Sequence, residues 1–263
     1  MEKKKSLGQH FLKSKSALDR ILDESDITPD AIVLEIGPGE GVLTQELVKL
    51  AGKVIAVEKD RRLIPYLKEK FAKEISAGKL ELMEKDILEF DPDILSFYKH
   101  PYKVVANIPY YITGQILRMF LESSCQPESM TLLVQKEVAE RIVAKDGKES
   151  LLSISVKAYG EPRYAATIPR GAFVPHPAVD SAILVIDDIS KERLRDIDEK
   201  KFWKILHLGF AHKRKQLLPN LTSEYGRKKL IEIFGKLGIN EKIRAEELPF
   251  EKWVKISLAI ICD

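Results

Sequence analysis

Between residues 31 and 144, short apolar runs alternate with segments of helical periodicity, and this alternation constrains the fold more than any other feature of the chain. Ala31–Ile36, Lys53–Val57, Leu80–Met83, Tyr102–Ala106 and Met130–Val134 read as strands. Gly41–Leu50, Arg61–Ile75, Gly114–Leu121 and Lys136–Ala144 read as helices. Strands that are apolar along nearly their whole length are buried on both faces. The pattern therefore predicts a parallel sheet covered by helices on either side. Leu151–Tyr159 has helical character, and Tyr164–Ile168 and Ala182–Ile186 bring the strands to seven. The connection Pro169–Ser181 carries three prolines and an aromatic. Loops of this length inside a compact domain are commonly functional.

Asp187–Lys200 is dense in charge and poor in large apolar residues, which suits a linker. Helical patterns follow at Phe202–Phe210, Lys213–Leu221, Glu224–Leu237 and Phe250–Ile261, without a strand-like run. The expected organisation is a larger α/β domain over residues 1–188 and a small all-α domain over 189–263. The second carries 17 Lys and Arg against 11 Asp and Glu from Lys191 onward, a net charge of +6 on a chain whose total is +3. A basic quarter on a near-neutral body predicts a polyanionic partner. No apolar run reaches the ~18 residues of a membrane span. The basic start, Lys3–Lys5, is followed by no signal-peptide core, so the chain reads as cytoplasmic. Cys125 and Cys262 lie far apart and outside any CxxC pair, so no metal site is expected.

Three polar features end successive strands. Glu35-Ile36-Gly37-Pro38-Gly39-Glu40-Gly41 closes the first. Glycines there let the backbone approach a ligand, and the next helix points its N-terminal amides at the same place. Glu58 ends the second strand, where a carboxylate can accept from both hydroxyls of a ribose. Asp86, in Glu84-Lys85-Asp86-Ile87, ends the third and can accept from an adenine amine. In open α/β sheets such residues share one crevice at the carboxyl edge. The GxGxG spacing differs from the GxGxxG of dinucleotide sites, although Glu58 alone would suit either cofactor.

Asn107-Ile108-Pro109-Tyr110 ends the fourth strand. An adenine amine is a poor nucleophile because its lone pair is delocalised into the ring. Two acceptors placed around it, the Asn107 side-chain oxygen and the Pro109 carbonyl, favour a pyramidal nitrogen. Tyr110 offers a stacking face worth ~1–3 kcal/mol per base. Alkylation makes the remaining amine proton acidic, so positioning can suffice without a general base.

The motifs Leu7-Gly8-Gln9-His10-Phe11-Leu12, Glu35-Ile36-Gly37-Pro38-Gly39, Asn107–Tyr110, Gln135-Lys136-Glu137-Val138 and Phe173-Val174-Pro175-His176-Pro177-Ala178-Val179-Asp180-Ser181 occur in this order. Together they resemble the ribosomal RNA adenine N6,N6-dimethyltransferases of the KsgA type, over almost the whole chain. The resemblance implies a Rossmann-like class I methyltransferase domain, with a seven-stranded, mostly parallel sheet, and a small helical C-terminal domain. It implies S-adenosylmethionine as methyl donor, contacted at Gln9, His10, Leu12, Gly37, Gly39, Glu58, Asp86, Ile87 and Asn107. His10 departs from the family, which usually has Asn there. Phe173 matches a second aromatic that faces the Tyr110 position across a flipped base. The segment Phe210–Leu221 resembles a basic helical motif in which Lys213, Arg214 and Lys215 would neutralise RNA phosphates. The implied substrate is a pair of adjacent adenosines in a hairpin near the 3′ end of small-subunit rRNA, met on an immature subunit by a monomeric enzyme. Large-subunit dimethylation of the macrolide-resistance type and a mainly non-enzymatic role in ribosome assembly or transcription are the alternatives.

Overall fold

The computed structural model describes residues 10–98, 100–212 and 214–262. In chain order it contains β1 (Phe11–Leu12), α1 (Lys15–Ser25), β2 (Ile32–Ile36), α2 (Val42–Leu50), β3 (Lys53–Glu58), α3 (Leu63–Lys70), α4 (Ala72–Ser76) and β4 (Leu80–Glu84). There follow β5 (Tyr102–Asn107), α5 (Thr113–Glu122), β6 (Ser129–Gln135), α6 (Lys136–Val143), α7 (Leu151–Lys157), β7 (Glu161–Ile168), β8 (Phe173–Val174) and β9 (Ser181–Asp187). The remaining helices are α8 (Glu199–Phe210), α9 (Leu217–Tyr225), α10 (Arg227–Lys236) and α11 (Phe250–Cys262).

The main sheet runs β4-β3-β2-β5-β6-β9-β7. Its first five strands are parallel, and β9 pairs antiparallel with both β6 and β7. Every residue of β2 is buried, including Glu35, as expected for a strand covered on both faces. The chain winds from β2 outward to β3 and β4, then returns to place β5 on the opposite side of β2. That reversal leaves a crevice at the carboxyl ends of β2 and β5. Register puts Ile36 level with both Val57 and Ala106, so the Gly-rich turn, Glu58 and Asn107 leave the sheet together.

Two compact units emerge. One comprises residues up to Ala139 together with Glu161–Ile189, and the other Glu140–Gly160 together with the chain from Ser190. The expected boundary at 188 to 189 falls within one residue of the second break, but residues 140–160 group with the helical unit instead of the sheet. Helix α7 in that segment packs on α8, an attachment that no local pattern encodes.

Three other expectations need correction. The helix expected over Arg61–Ile75 is broken at Phe71, which leaves helical geometry (φ −112°, ψ 27°) with its side chain buried. The helix expected over Glu224–Leu237 is divided at Gly226 between α9 and α10. The basic segment does not lie on a helix: Arg214 and Lys215 precede α9 in an exposed turn in which the Lys215 amide donates to the His212 carbonyl at 2.9 Å. Lys213 lies outside the described residues. Helix α1 went unread; Ser14 caps it by accepting from the Ala17 amide at 3.3 Å, and Ala17, Leu18 and Ile21 bury its inner face. Among the described residues no helix is long and apolar enough to cross a membrane.

The helical unit is built around Trp253, fully buried on α11 and stacked on Phe210 with ring centroids 5.4 Å apart. Gly209 on α8 makes room for it: a β-carbon there would lie 2.4 Å from Trp253 Cη2 and 3.0 Å from Leu217 Cδ1. The indole is rigid and both neighbours are fully buried, so overpacking is expected to cost about 1–3 kcal/mol. Gly209→Ala should lower the denaturant midpoint correspondingly; an unchanged midpoint would show that the unit repacks freely.

Candidate active site

A pocket opens at the carboxyl edge of β2, β3 and β5. Its floor is the Gly-rich turn. Gly39 has φ +59°, and a β-carbon on it would meet the Phe11 ring at 3.0 Å. Only glycine combines that backbone with that contact. The arm that brings Phe11 is held by the β1–β8 ribbon, in which Phe11 pairs with Val174 and Leu12 with Phe173. Lys13 adds an ion pair to Glu40 in the Gly-rich turn at 2.5 Å.

Glu58 lies at the end of β3, 5% exposed. Its Oε2 accepts from the Gly39 amide at 3.1 Å and its Oε1 from the Asp60 amide at 2.7 Å. These bonds fix the carboxylate and leave lone pairs on both oxygens for a ligand's hydroxyls. Burial raises its pKa, and the Asp60 and Gly39 amides oppose that rise. Asp86 stands two residues beyond β4. Its Oδ1 accepts from the Leu88 amide at 3.1 Å and its Oδ2 from Lys59 Nζ at 2.5 Å. Burial works to raise the Asp86 carboxyl, but the Lys59 ammonium and the Leu88 amide outweigh it and hold the group below the ordinary range. Ile87 beside it is buried and lines the pocket.

Asn107 ends β5, and its Nδ2 donates to the His10 carbonyl at 2.9 Å. A carbonyl only accepts, so the amide group is oriented unambiguously and Oδ1 is left as an acceptor. The Pro109 carbonyl accepts from the Ile112 amide at 3.2 Å and keeps its second lone pair. Tyr110 is half-buried, with its hydroxyl 2.6 Å from Ser181 Oγ. Burial raises its pKa, against the Ser181 hydrogen bond. His10, Leu12, Gly37, Gly39, Glu58, Asp86, Ile87, Asn107, Pro109 and Tyr110 all line this one pocket. Gln9 lies outside the described residues.

Phe173 does not line it. The ring is fully buried among Leu12, Leu18 and Ile183 in the core. The physical reason is the pleat: directly paired residues point to one side of a ribbon, so Leu12 and Phe173 turn inward together, while Val174 is 40% exposed. The structure thus places Phe173 in the core and not in the lining of the pocket beside Tyr110, where the resemblance puts it.

Sequence reading passed over Glu35, which also lines the pocket, is 1% exposed and has no hydrogen-bond partner for Oε2. Its signal was a lone acid inside the apolar run Ile32–Ile36. Burial pushes its pKa up to about 8, moderated by Thr44 and reinforced by the charge of Glu58. A carboxyl raised above its unfolded value favours folding while protonated. Its contribution is complete below about pH 4.5 and fades as pH rises through about 8. Glu35→Gln should therefore flatten the fall in apo-protein stability between pH 5 and 8 seen in denaturant titrations. An equal pH slope in both proteins would refute the buried, protonated Glu35.

The chain matches the ribosomal RNA adenine dimethylase family over residues 1–261. It is 44% identical over 260 residues to a ribosomal RNA small subunit methyltransferase A of Dehalococcoides mccartyi, covering 98% of this chain and 88% of that one. It is 40% identical over 257 residues to the protein of that name from Fusobacterium nucleatum, covering 96% of each. A dimethyladenosine transferase from Plasmodium falciparum superposes with a TM-score of 0.83 at 27% identity, covering 96% of this chain and 98% of that one. The 23S rRNA methyltransferase ErmE superposes with a TM-score of 0.80 at 27% identity, covering 95% and 99%. The chain is thus an enzyme of the ribosomal RNA adenine dimethylase family, with S-adenosylmethionine as its methyl donor.

Proposed function

We propose that this enzyme methylates N6 of two adjacent adenosines in a hairpin near the 3′ end of small-subunit rRNA, giving N6,N6-dimethyladenosine, and so takes part in small-subunit maturation. The observation that carries the reading is the orientation of Asn107. Its Nδ2 is spent on the His10 carbonyl, which leaves Oδ1 to accept a hydrogen from a substrate amine. The small-subunit assignment is supported by relatives at 37–44% identity that bear that name. We assign the acceptor to an immature subunit, and the active species to a monomer.

The residues of the pocket fit the donor. Glu58 would hold the ribose hydroxyls and Asp86 the adenine amine, with Ile87 beside the ring. Gly37 and Gly39 leave room along the turn, while Gln9, Leu12 and the main chain of His10 would border the donor. When bound, S-adenosylmethionine supplies an electrophilic methyl group on a sulfonium. The rest of the task is positional. Asn107 Oδ1 and the Pro109 carbonyl take the amine hydrogens and turn the nitrogen lone pair toward the methyl. Tyr110, held at its hydroxyl by Ser181, stacks on the flipped adenine. In the helical unit, Lys213, Arg214 and Lys215 would meet RNA phosphates.

Asn107→Ala should keep S-adenosylmethionine affinity within a few-fold while lowering turnover on purified small subunits by about 100-fold. Unchanged turnover would remove the amine-orienting role, and methylation of large instead of small subunits would move the substrate. Arg214→Glu combined with Lys215→Glu should weaken RNA binding and flatten its dependence on salt, by roughly 0.7–0.9 in log–log slope per lost phosphate contact. An unaltered slope would place the RNA footprint elsewhere.

A further inference from the structure

We propose that His10 is a positioning residue for the acceptor adenine, acting through Tyr110 and Asn107 at once. The inference rests on the reading of those two residues given above.

Three contacts converge on His10. Its ring stacks on Tyr110, with centroids 5.9 Å apart and planes inclined by 22°. Its Nδ1 lies 2.8 Å from the Pro175 carbonyl. A carbonyl only accepts, so Nδ1 carries the proton and the ring is held against rotation. Its own carbonyl accepts from Asn107 Nδ2 at 2.9 Å.

Tyr110 is therefore held at its edge by Ser181 Oγ, 2.6 Å from its hydroxyl, and on one face by an imidazole that is itself anchored. Phe173, sealed in the core, provides no such support from within the pocket. The main chain of His10 sets which way the Asn107 amide points, and its side chain sets the plane of the Tyr110 ring. The amine's hydrogen-bond acceptor and the base's stacking face are thus fixed relative to one another by one residue. Such supporting contacts govern rate, because a displacement of about 1 Å in a reacting group can cost about 100-fold.

Substitution separates the two roles. Removing the imidazole leaves the His10 carbonyl on Asn107 and frees only Tyr110. Replacing it with a phenyl ring restores a stacking face without the Nδ1 donor. The test measures S-adenosylmethionine affinity by calorimetry and methyl transfer to small ribosomal subunits from cells lacking this methylation, with mono- and dimethyladenosine quantified separately. His10→Ala should lower kcat about tenfold or more, keep cofactor affinity within about threefold, and enrich the monomethylated product. His10→Phe should recover most of the lost kcat and restore the product ratio. Should the alanine variant not fold, His10→Ser provides the second ringless variant.

The proposal is overturned if the ringless variant matches wild type, if phenylalanine rescues nothing, or if the whole loss is in cofactor affinity, which would assign His10 to the donor. A wild-type chain that methylates neither subunit refutes the function itself. An active wild type whose rate on small subunits is matched by a ringless variant refutes only the role of His10.

Discussion

The reversal of winding between β2 and β5 is the constraint on which the site depends. Parallel strands require crossovers, and crossovers on opposite sides of one strand cannot cover the same carboxyl edge. The register of β2 with β3 and β5 then fixes what meets there: Gly37, Glu58 and Asn107 each follow or end a strand at one level. No contact between side chains is needed to bring the glycine turn to its acid. Backbone pairing does so, and the Gly39 amide closes the arrangement by donating to Glu58.

That dependence explains what the sequence made legible. The seven strands and the three polar strand ends follow from local periodicity and from turn chemistry, both of which are written in neighbouring residues. What was not legible depends on residues far apart. Whether Phe173 faces a ligand or the core is decided by its partner Leu12, across 161 residues of chain, because one step of register in the ribbon would reverse both. Helix α7 joins the helical unit through packing on α8, which periodicity cannot reveal. The break at Phe71 likewise has no Pro or Gly to announce it; the ring turns in against Gly41, where a β-carbon would lie 2.6 Å from Phe71 Cε2. The hydrogen bond between Asn107 and His10 was equally hidden, although each residue was already a candidate.

The acids of the pocket differ in environment more than in identity. Asp86 is kept ionised by a lysine and an amide, whereas Glu35 is driven toward its neutral form by burial beside Glu58. Two carboxyls close together at the end of a buried strand pair need not both bear charge. Their division leaves Glu58, with two amides bound to it, as the better-solvated member of that pair and the one equipped to accept hydroxyls. The electrostatics of the crevice thus follow from which backbone amides the turn happens to leave free.

The contact between His10 and Pro175 spans 165 positions, and that between Tyr110 and Ser181 spans 71. A chain emerging from the ribosome can form β2 to β6 and their helices before Pro175 and Ser181, the later partners in these contacts, have been made. Closing such long loops carries an entropic cost that only late structure can repay. During its own synthesis, then, this chain can pair its five parallel strands before Pro175 and Ser181 are present to hold His10 and Tyr110. The arm and the proline-rich loop complete the acceptor face only once nearly all of the sheet unit has been made.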